Sequence, residues 1–93
     1  MLKINQYFGG QVASIAFQGE HYPATVGVMV PGDYEFSTNQ LEVMTIISGH
    51  LQVKLPNSDT WQRFDAGQQF TVAAGCTFAL QVSTDTAYLC SYQ

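Results

Sequence analysis

The fold is decided by residues 32–49, which read GDYEFSTNQLEVMTIISG. Apolar and polar residues alternate through Tyr34 and Phe36 in the first half of this segment. A β-branched and apolar run then follows Glu42 and stops at Gly49. Alternation with a period of two indicates a strand with one buried face, and glycine supplies the positive φ that a tight reversal needs. The segment therefore predicts two strands, the second of which ends in a glycine turn.

The same period of two recurs along the chain, and no helical stripe of apolar residues lasts for long. Further alternating runs lie at residues 13–17, 51–55, 70–72, 78–82 and 86–92. Segments rich in proline, glycine, asparagine and aspartate separate these runs. Short strands with turns at this spacing are typical of a β-sandwich or a β-barrel. We therefore expect an all-β fold, in the form of a barrel, with residues 1–93 in a single domain.

The composition predicts that the chain associates with itself. Of its 93 residues, 46% are hydrophobic and only 11% are charged. A soluble domain usually carries about 25% charged residues, and a domain this short gains only marginal stability from its core. With so few charges, a monomer would expose apolar patches that favour association. The simplest expectation is a homodimer with twofold symmetry.

The charge balance argues against two classes of partner. The formal net charge is −4, and only Lys3, Lys54 and Arg63 are cationic. Nucleic acids and anionic membranes are both bound by clusters of lysine and arginine, so neither is an expected partner. No apolar run approaches the length of about 20 residues that spans a bilayer. Two isolated cysteines, Cys76 and Cys90, are typical of buried free thiols in a cytoplasmic protein.

Two spaced motifs resemble the signatures of the cupins, which fold as jelly-roll-like β-barrels. Glu42 and Gly49, with the strand-like run between them, match the acidic residue and the turn glycine that end the first signature. The two histidines that precede this acidic residue in metal-binding cupins are replaced, at or near Phe36 and Thr38. The second signature is matched by Gly67, Ala73, Gly75 and Phe78, the last of which stands at the position of a third histidine. The resemblance implies a cupin without its usual metal ligands.

Five segments extend the resemblance to one family of small bacterial cupins, the pyrimidine/purine nucleoside phosphorylases. These segments are residues 7–10, 26–29, 31–38, 42–49 and 88–92. The resemblance implies phosphorolysis of many purine and pyrimidine nucleosides to ribose 1-phosphate and a free base. It also implies nucleoside and inorganic phosphate as ligands, and no metal or other cofactor. His21 and His50, the remaining histidines, adjoin turns and are too far apart to build a metal triad alone.

Glu42 is the candidate catalytic residue. Cleavage of an N-glycosidic bond builds positive charge on the ribose, and a carboxylate beside the ring stabilises that charge. If the chain is a cupin, the resemblance implies that Glu42 points into the mouth of the barrel. Without that resemblance, Glu42 would be interpreted as a solvated glutamate at the start of a strand. Aromatic rings and a nearby hydroxyl would hold the substrate, although any one ring can equally belong to the core. These candidate substrate-binding residues are Tyr34, Phe36, Thr38, Phe78 and Tyr88.

The sequence does not determine which groups bind phosphate. Arg63, the only arginine, is either an anion clamp or a surface residue of a strand. Phosphate could instead be held by Lys54, by backbone N–H groups, by threonine hydroxyls or by a partner subunit. Two other functions use a similar pocket: a non-catalytic cupin that binds a sugar or a nucleoside, and a metal-dependent cupin dioxygenase. The metal-dependent dioxygenase is the weaker alternative because the histidines that would bind its metal are missing.

Overall fold

The computed structural model describes all residues from 1 to 93 and consists of ten β-strands and one 3-10 turn. The strands are β1 (Lys3–Tyr7), β2 (Val12–Gln18), β3 (Pro23–Met29), β4 (Gly32–Ser37), β5 (Glu42–Ser48), β6 (His50–Lys54), β7 (Gln62–Asp65), β8 (Gln69–Val72), β9 (Thr77–Val82) and β10 (Thr86–Tyr92). The 3-10 turn (Phe8–Gly10) follows β1. The all-β prediction is confirmed. The structure has no helix with the length and apolarity needed to cross a membrane.

The strands form two antiparallel sheets that make a sandwich. The larger sheet has the order β1-β2-β3-β10-β5-β8, and the smaller sheet has the order β4-β9-β6-β7. Since no strand of one sheet pairs with a strand of the other, the sheets keep open edges and do not close into the predicted barrel. Closure would require a continuous hydrogen-bonded ladder around the fold, and here the chain crosses between two separate ladders.

Gly49 makes one of these crossings with a single residue. It lies between β5 in the larger sheet and β6 in the smaller sheet, and its φ is +88°. Glycine adopts this left-handed conformation without the steric cost that a Cβ atom brings. The turn predicted at Gly49 is therefore present, and it joins the two layers.

The core lies between the inner faces of the two sheets. Burial alternates along the strands as the period of two predicts: in β6, Leu51 and Val53 are buried while Gln52 between them is exposed. Met29 from the larger sheet and Leu80 from the smaller sheet are almost completely buried. One cluster of 14 buried residues forms this core, so the apolar side chains of both layers share a single interior.

The outer face of the larger sheet is apolar and exposed. Ile4, Ile15 and Val26 lie in register on neighbouring strands, and Leu89 of β10 continues the row. Ile4 is 65% exposed, and Val28 on the same face is 49% exposed. We call this surface the outer apolar face and define it by Ile4, Ile15, Val26, Val28 and Leu89. A monomer would present this surface to water, which is unfavourable for a patch of contiguous apolar side chains.

Candidate functional site

A pocket with a volume of about 230 Å³ contains Glu42. Side chains from both sheets form its wall, which is mostly apolar with a few polar groups, as in sites for small molecules. The ten lining residues are Tyr7, Ser14, Phe36, Ser37, Glu42, Met44, Phe78, Tyr88, Cys90 and Tyr92. The structure thus brings four of the predicted site residues together: Glu42, Phe36, Phe78 and Tyr88.

Glu42 is the only charged side chain in the pocket wall. It is the first residue of β5 and lies in register with Tyr92 of β10 and with Val72 of β8. The thiol of Cys90 lies 3.5 Å from its Oε1 and donates a hydrogen bond to it. Partial burial raises the pKa of Glu42, and the hydrogen bond from Cys90 offsets part of this rise. A carboxylate in such surroundings is poorly solvated and gains most from a positive charge placed beside it.

The groups around this carboxylate remain protonated at neutral pH. Burial, and then the charge of Glu42, raise the pKa of the Cys90 thiol to about 12. Burial likewise raises the pKa of Tyr88 to about 12. Burial also raises the pKa of Tyr92, whose hydroxyl lies 3.1 Å from Oγ1 of Thr25. These residues are therefore neutral hydrogen-bonding groups, and Glu42 carries the only negative charge among them.

Aromatic rings form one wall of the pocket. The rings of Phe36 in β4 and Phe78 in β9 have centroids 5.9 Å apart and planes inclined by 30°. Tyr7 of β1 meets the ring of Phe36 edge to face, with centroids 6.4 Å apart. Rings in this arrangement present flat apolar surface, on which a planar heterocycle can stack.

Two other predicted binding residues lie outside the lining of the pocket. Tyr34 is buried in the core, with its ring centroid 6.5 Å from that of Phe36. Thr38 donates a hydrogen bond to the carbonyl of Ala73 at 2.6 Å and accepts one from the backbone N–H of Cys76 at 3.0 Å. Tyr34 therefore supports the aromatic wall from the core, and Thr38 ties together the loops beside the pocket.

Arg63 lies on the far side of the smaller sheet. It is in register with Gln52, whose neighbours Leu51 and Val53 point into the core, so Arg63 projects from the outer face. Its Nε lies 3.0 Å from Oδ1 of Asp65, and both side chains are largely exposed. The sheet separates Arg63 from Glu42, and the expectation that it holds an anion in this pocket is therefore not met within one chain.

Sequence reasoning did not assign substrate contacts to six of the lining residues: Tyr7, Ser14, Ser37, Met44, Cys90 and Tyr92. A signal for two of them was present, because Tyr88, Cys90 and Tyr92 share one face of β10. Ser14 is a buried polar residue on the apolar inner face of β2, next to buried Val12. A buried hydroxyl needs a polar partner, and the side chain of Tyr88, which also lines the pocket, is a hydrogen-bonding partner of Ser14.

The side chains that could hold a metal do not converge. No group of three or more histidine, cysteine, aspartate or glutamate side chains is arranged to bind an ion. His50 instead lies with Nε2 3.2 Å from the hydroxyl of Ser83, and His21 is exposed. Both cysteines are free thiols, as expected, but Cys76 is only partly buried whereas Cys90 is buried.

The family model and the similar sequences carry the same family name. The model of the family "Pyrimidine/purine nucleoside phosphorylase" matches residues 2–92. A protein of that name from Hahella chejuensis is 63% identical over 92 residues, which cover 99% of each chain. Another from Pseudomonas entomophila is 58% identical and is covered over 99% of its length, with all of this chain aligned.

Solved structures show the same fold. A protein of unknown function from Vibrio parahaemolyticus superposes with a TM-score of 0.95 at 41% identity, over 100% of this chain and 99% of the other. An RmlC-like cupin from Shewanella frigidimarina superposes with a TM-score of 0.77 at 15% identity, over 98% of this chain and 82% of the other. The cupin prediction is thereby confirmed for the fold, in the form of an open sandwich.

Proposed function

Because this chain belongs to the pyrimidine/purine nucleoside phosphorylase family, we propose that it transfers the ribosyl group of purine and pyrimidine nucleosides to inorganic phosphate. The products are ribose 1-phosphate and the free base, and the reaction is reversible. The family resemblance predicted from the sequence is confirmed, and the proposal rests on it together with one observation. That observation is a single carboxylate, Glu42, in a largely apolar pocket with aromatic rings on one wall.

Glu42 would stabilise the charge that develops during transfer. As an oxygen of phosphate bonds to C1′ of the ribose, the C1′–N bond breaks and its electron pair leaves with the base, which takes up a proton from phosphate or water. The ribose carries positive charge in between, as in other glycosyl transfers. A poorly solvated carboxylate beside C1′ offsets that charge without having to reorganise water. The raised pKa of Glu42 is consistent with such desolvation.

The aromatic wall of the pocket supports binding of both purine and pyrimidine bases. Phe36 and Phe78 have no side-chain hydrogen-bonding group, so they cannot distinguish the edges of different bases. Stacking on a ring face is available to every purine and pyrimidine. We therefore assign the base to the space beside Phe36 and Phe78, and the ribose to the space beside Glu42.

A single assay tests this function. The purified protein is incubated with uridine or inosine, with and without inorganic phosphate, and free base and ribose 1-phosphate are quantified. We expect both products in equal amounts, and only when phosphate is present. Binding of uridine without release of uracil would support the alternative of a non-catalytic cupin that binds a sugar or nucleoside.

Activity is expected to survive removal of metal ions. Phe36 and Phe78 occupy or adjoin the ligand positions of metal-binding cupins, and neither can coordinate a transition metal. The measurement is phosphorolysis of uridine after dialysis against a chelator, together with elemental analysis of the active protein. Stoichiometric zinc, iron or manganese that is lost together with activity would contradict this prediction and would favour a metal-dependent cupin.

We propose a homodimer that buries the outer apolar face, in the cytoplasm, where Cys76 and Cys90 stay reduced. Val26 lies in the row of apolar side chains on that face and is 39% exposed. Val26→Lys places a charge there and is expected to yield a monomer in sedimentation at micromolar concentration. Gln52→Lys, on the outer face of the smaller sheet, is the matched control and should leave the dimer intact. A monomeric wild-type protein would refute this assembly.

A further inference from the structure

The lining of the Glu42 pocket contains no positively charged side chain that could bind phosphate. Its lining contains one carboxylate and no lysine or arginine. Inorganic phosphate carries one to two negative charges at neutral pH, because its second pKa lies near neutrality, and it would be repelled by Glu42 if no cation were near. The chain contains only three cationic side chains, Lys3, Lys54 and Arg63, so a cation supplied by the same chain must be one of these.

Two of the three cationic side chains project from the outer face of the smaller sheet, away from the pocket. Lys54 follows Val53 in β6, and because Val53 is buried, Lys54 lies on the same outer face as Gln52. Arg63 is in register with Gln52 and is paired with Asp65 on that face. The layer formed by the smaller sheet therefore lies between both of these cations and the core.

Lys3 is on the inner side of the larger sheet. It shares one face of β1 with Asn5 and Tyr7, since alternate residues of a strand project to the same side. Tyr7 lines the pocket and contacts the ring of Phe36, which identifies this face as the inner one. Lys3 is exposed and forms no ion pair. Its ammonium is therefore available to a ligand on this side of the sheet.

Polar groups continue from Lys3 towards the pocket. Asn5 of β1 is in register with Ser14 of β2, and Ser14 is buried and lines the pocket. Residues two apart in a strand are separated by about 7 Å, so the flexible Lys3 side chain can reach the space in front of Asn5 and Ser14. An ammonium, an amide and a hydroxyl are all hydrogen-bond donors suited to an oxyanion.

We propose that Lys3, with Asn5 and Ser14, forms the subsite that binds inorganic phosphate. This proposal rests on the proposed phosphorolysis and names the residues that hold its second substrate. Four strand spacings separate β1 from β5, which corresponds to about 19 Å between their backbones in a flat sheet. Lys3 and Glu42 both project from the inner face of this sheet, so a phosphate bound at Lys3 and a ribose bound at Glu42 would lie on the same side of it. The phosphate would thus approach the ribose from the β1 side of the sheet, with Glu42 on the β5 side.

The test compares Lys3→Gln with Lys54→Gln, which removes the same charge from the outer face of the smaller sheet. At saturating uridine, Lys3→Gln should raise the KM for phosphate by roughly tenfold or more, the effect of losing one charge-assisted hydrogen bond. The KM for uridine should stay within about twofold of the wild-type value, because the nucleoside contacts are unchanged. Lys54→Gln should behave as wild type, and Lys3→Arg should retain most of the affinity for phosphate. Circular dichroism verifies that each variant is folded.

A second measurement does not depend on turnover. Line broadening of the ³¹P resonance of inorganic phosphate reports its binding to the wild-type protein and to both glutamine variants. We expect broadening with wild type and Lys54→Gln, and its loss with Lys3→Gln. If phosphate binds in this way but uridine is not cleaved, the proposed function fails while the subsite stands. Equal phosphate parameters for Lys3→Gln and wild type, or no binding of phosphate to wild type, would overturn the subsite.

Discussion

Glu42→Gln is expected to lower kcat and kcat/KM together by about 100-fold or more, as for other single preorganised electrostatic groups. The reason is that the carboxylate opposes a positive charge that exists only while the C1′–N bond is breaking. Glutamine has nearly the same volume and can still hydrogen-bond a ribose hydroxyl, so binding of the nucleoside should change little. The measurement is steady-state phosphorolysis of uridine with both substrates varied.

The matched control is Glu35→Gln, which makes the same chemical change on β4 at an exposed position. It should leave both kinetic parameters unchanged. A Glu42→Gln effect confined to the KM for nucleoside would make Glu42 a binder of the ground state only. Wild-type rates in the folded variant would remove Glu42 from the active site and would refute the assignment of the pocket.

The raised pKa of Glu42 also fixes the sign of two pH effects. Catalysis needs the ionised carboxylate, so kcat/KM should fall as the pH is lowered. The midpoint of this fall should lie at a pH above the ordinary glutamate pKa of 4.5. A carboxyl whose pKa is raised on folding lowers the stability of the native state as the pH rises past its unfolded pKa, and this loss is complete above its folded pKa. Glu42→Gln should therefore be at least as stable as wild type at neutral pH, and this contribution should vanish in acid.

Gly49→Ala is expected to destabilise the fold by about 3 kcal/mol, which combines the cost of a left-handed alanine with that of overpacking. A Cβ at this position would lie 2.6 Å from the carbonyl oxygen of Asp85 and 2.8 Å from Oγ1 of Thr86. Thr86 is fully buried, and its hydroxyl donates to the carbonyl of His50 at 2.9 Å, so it has little freedom to move. The free energy of unfolding in urea measures the effect.

Gly67→Ala separates the two contributions. Gly67 has a nearly identical φ of +89°, but a Cβ there would meet no atom within 4 Å. Only the cost of the left-handed conformation remains, which amounts to about 1 kcal/mol. Equal losses of stability in the two variants would show that packing against Asp85 and Thr86 contributes nothing at Gly49.

Local features of the sequence determined the strands, the turns and the position of Glu42. Side-chain alternation and positive φ are properties of a few neighbouring residues, so they can be recognised before any tertiary contact is known. The alternation in residues 51–55 predicted which residues of β6 are buried, and Gly49 marked the crossing between layers. The spacing from Glu42 to Gly49, through its likeness to the cupin signature, placed the carboxylate facing the interior, where it lines the pocket.

Only the tertiary structure decided which polar residues share the pocket. Arg63 and Lys3 both lie on short strands with mixed composition, and no local pattern tells whether such a residue faces the core or the outer surface. That choice depends on which strands pair and on which layer covers each face, and these contacts join residues far apart in the chain. The ladders set Arg63 outside the smaller sheet and brought Ser14 and Cys90 to the same pocket as Glu42. They also left the sandwich open, because closure depends on the pairing of edge strands and not on the pattern within any one strand.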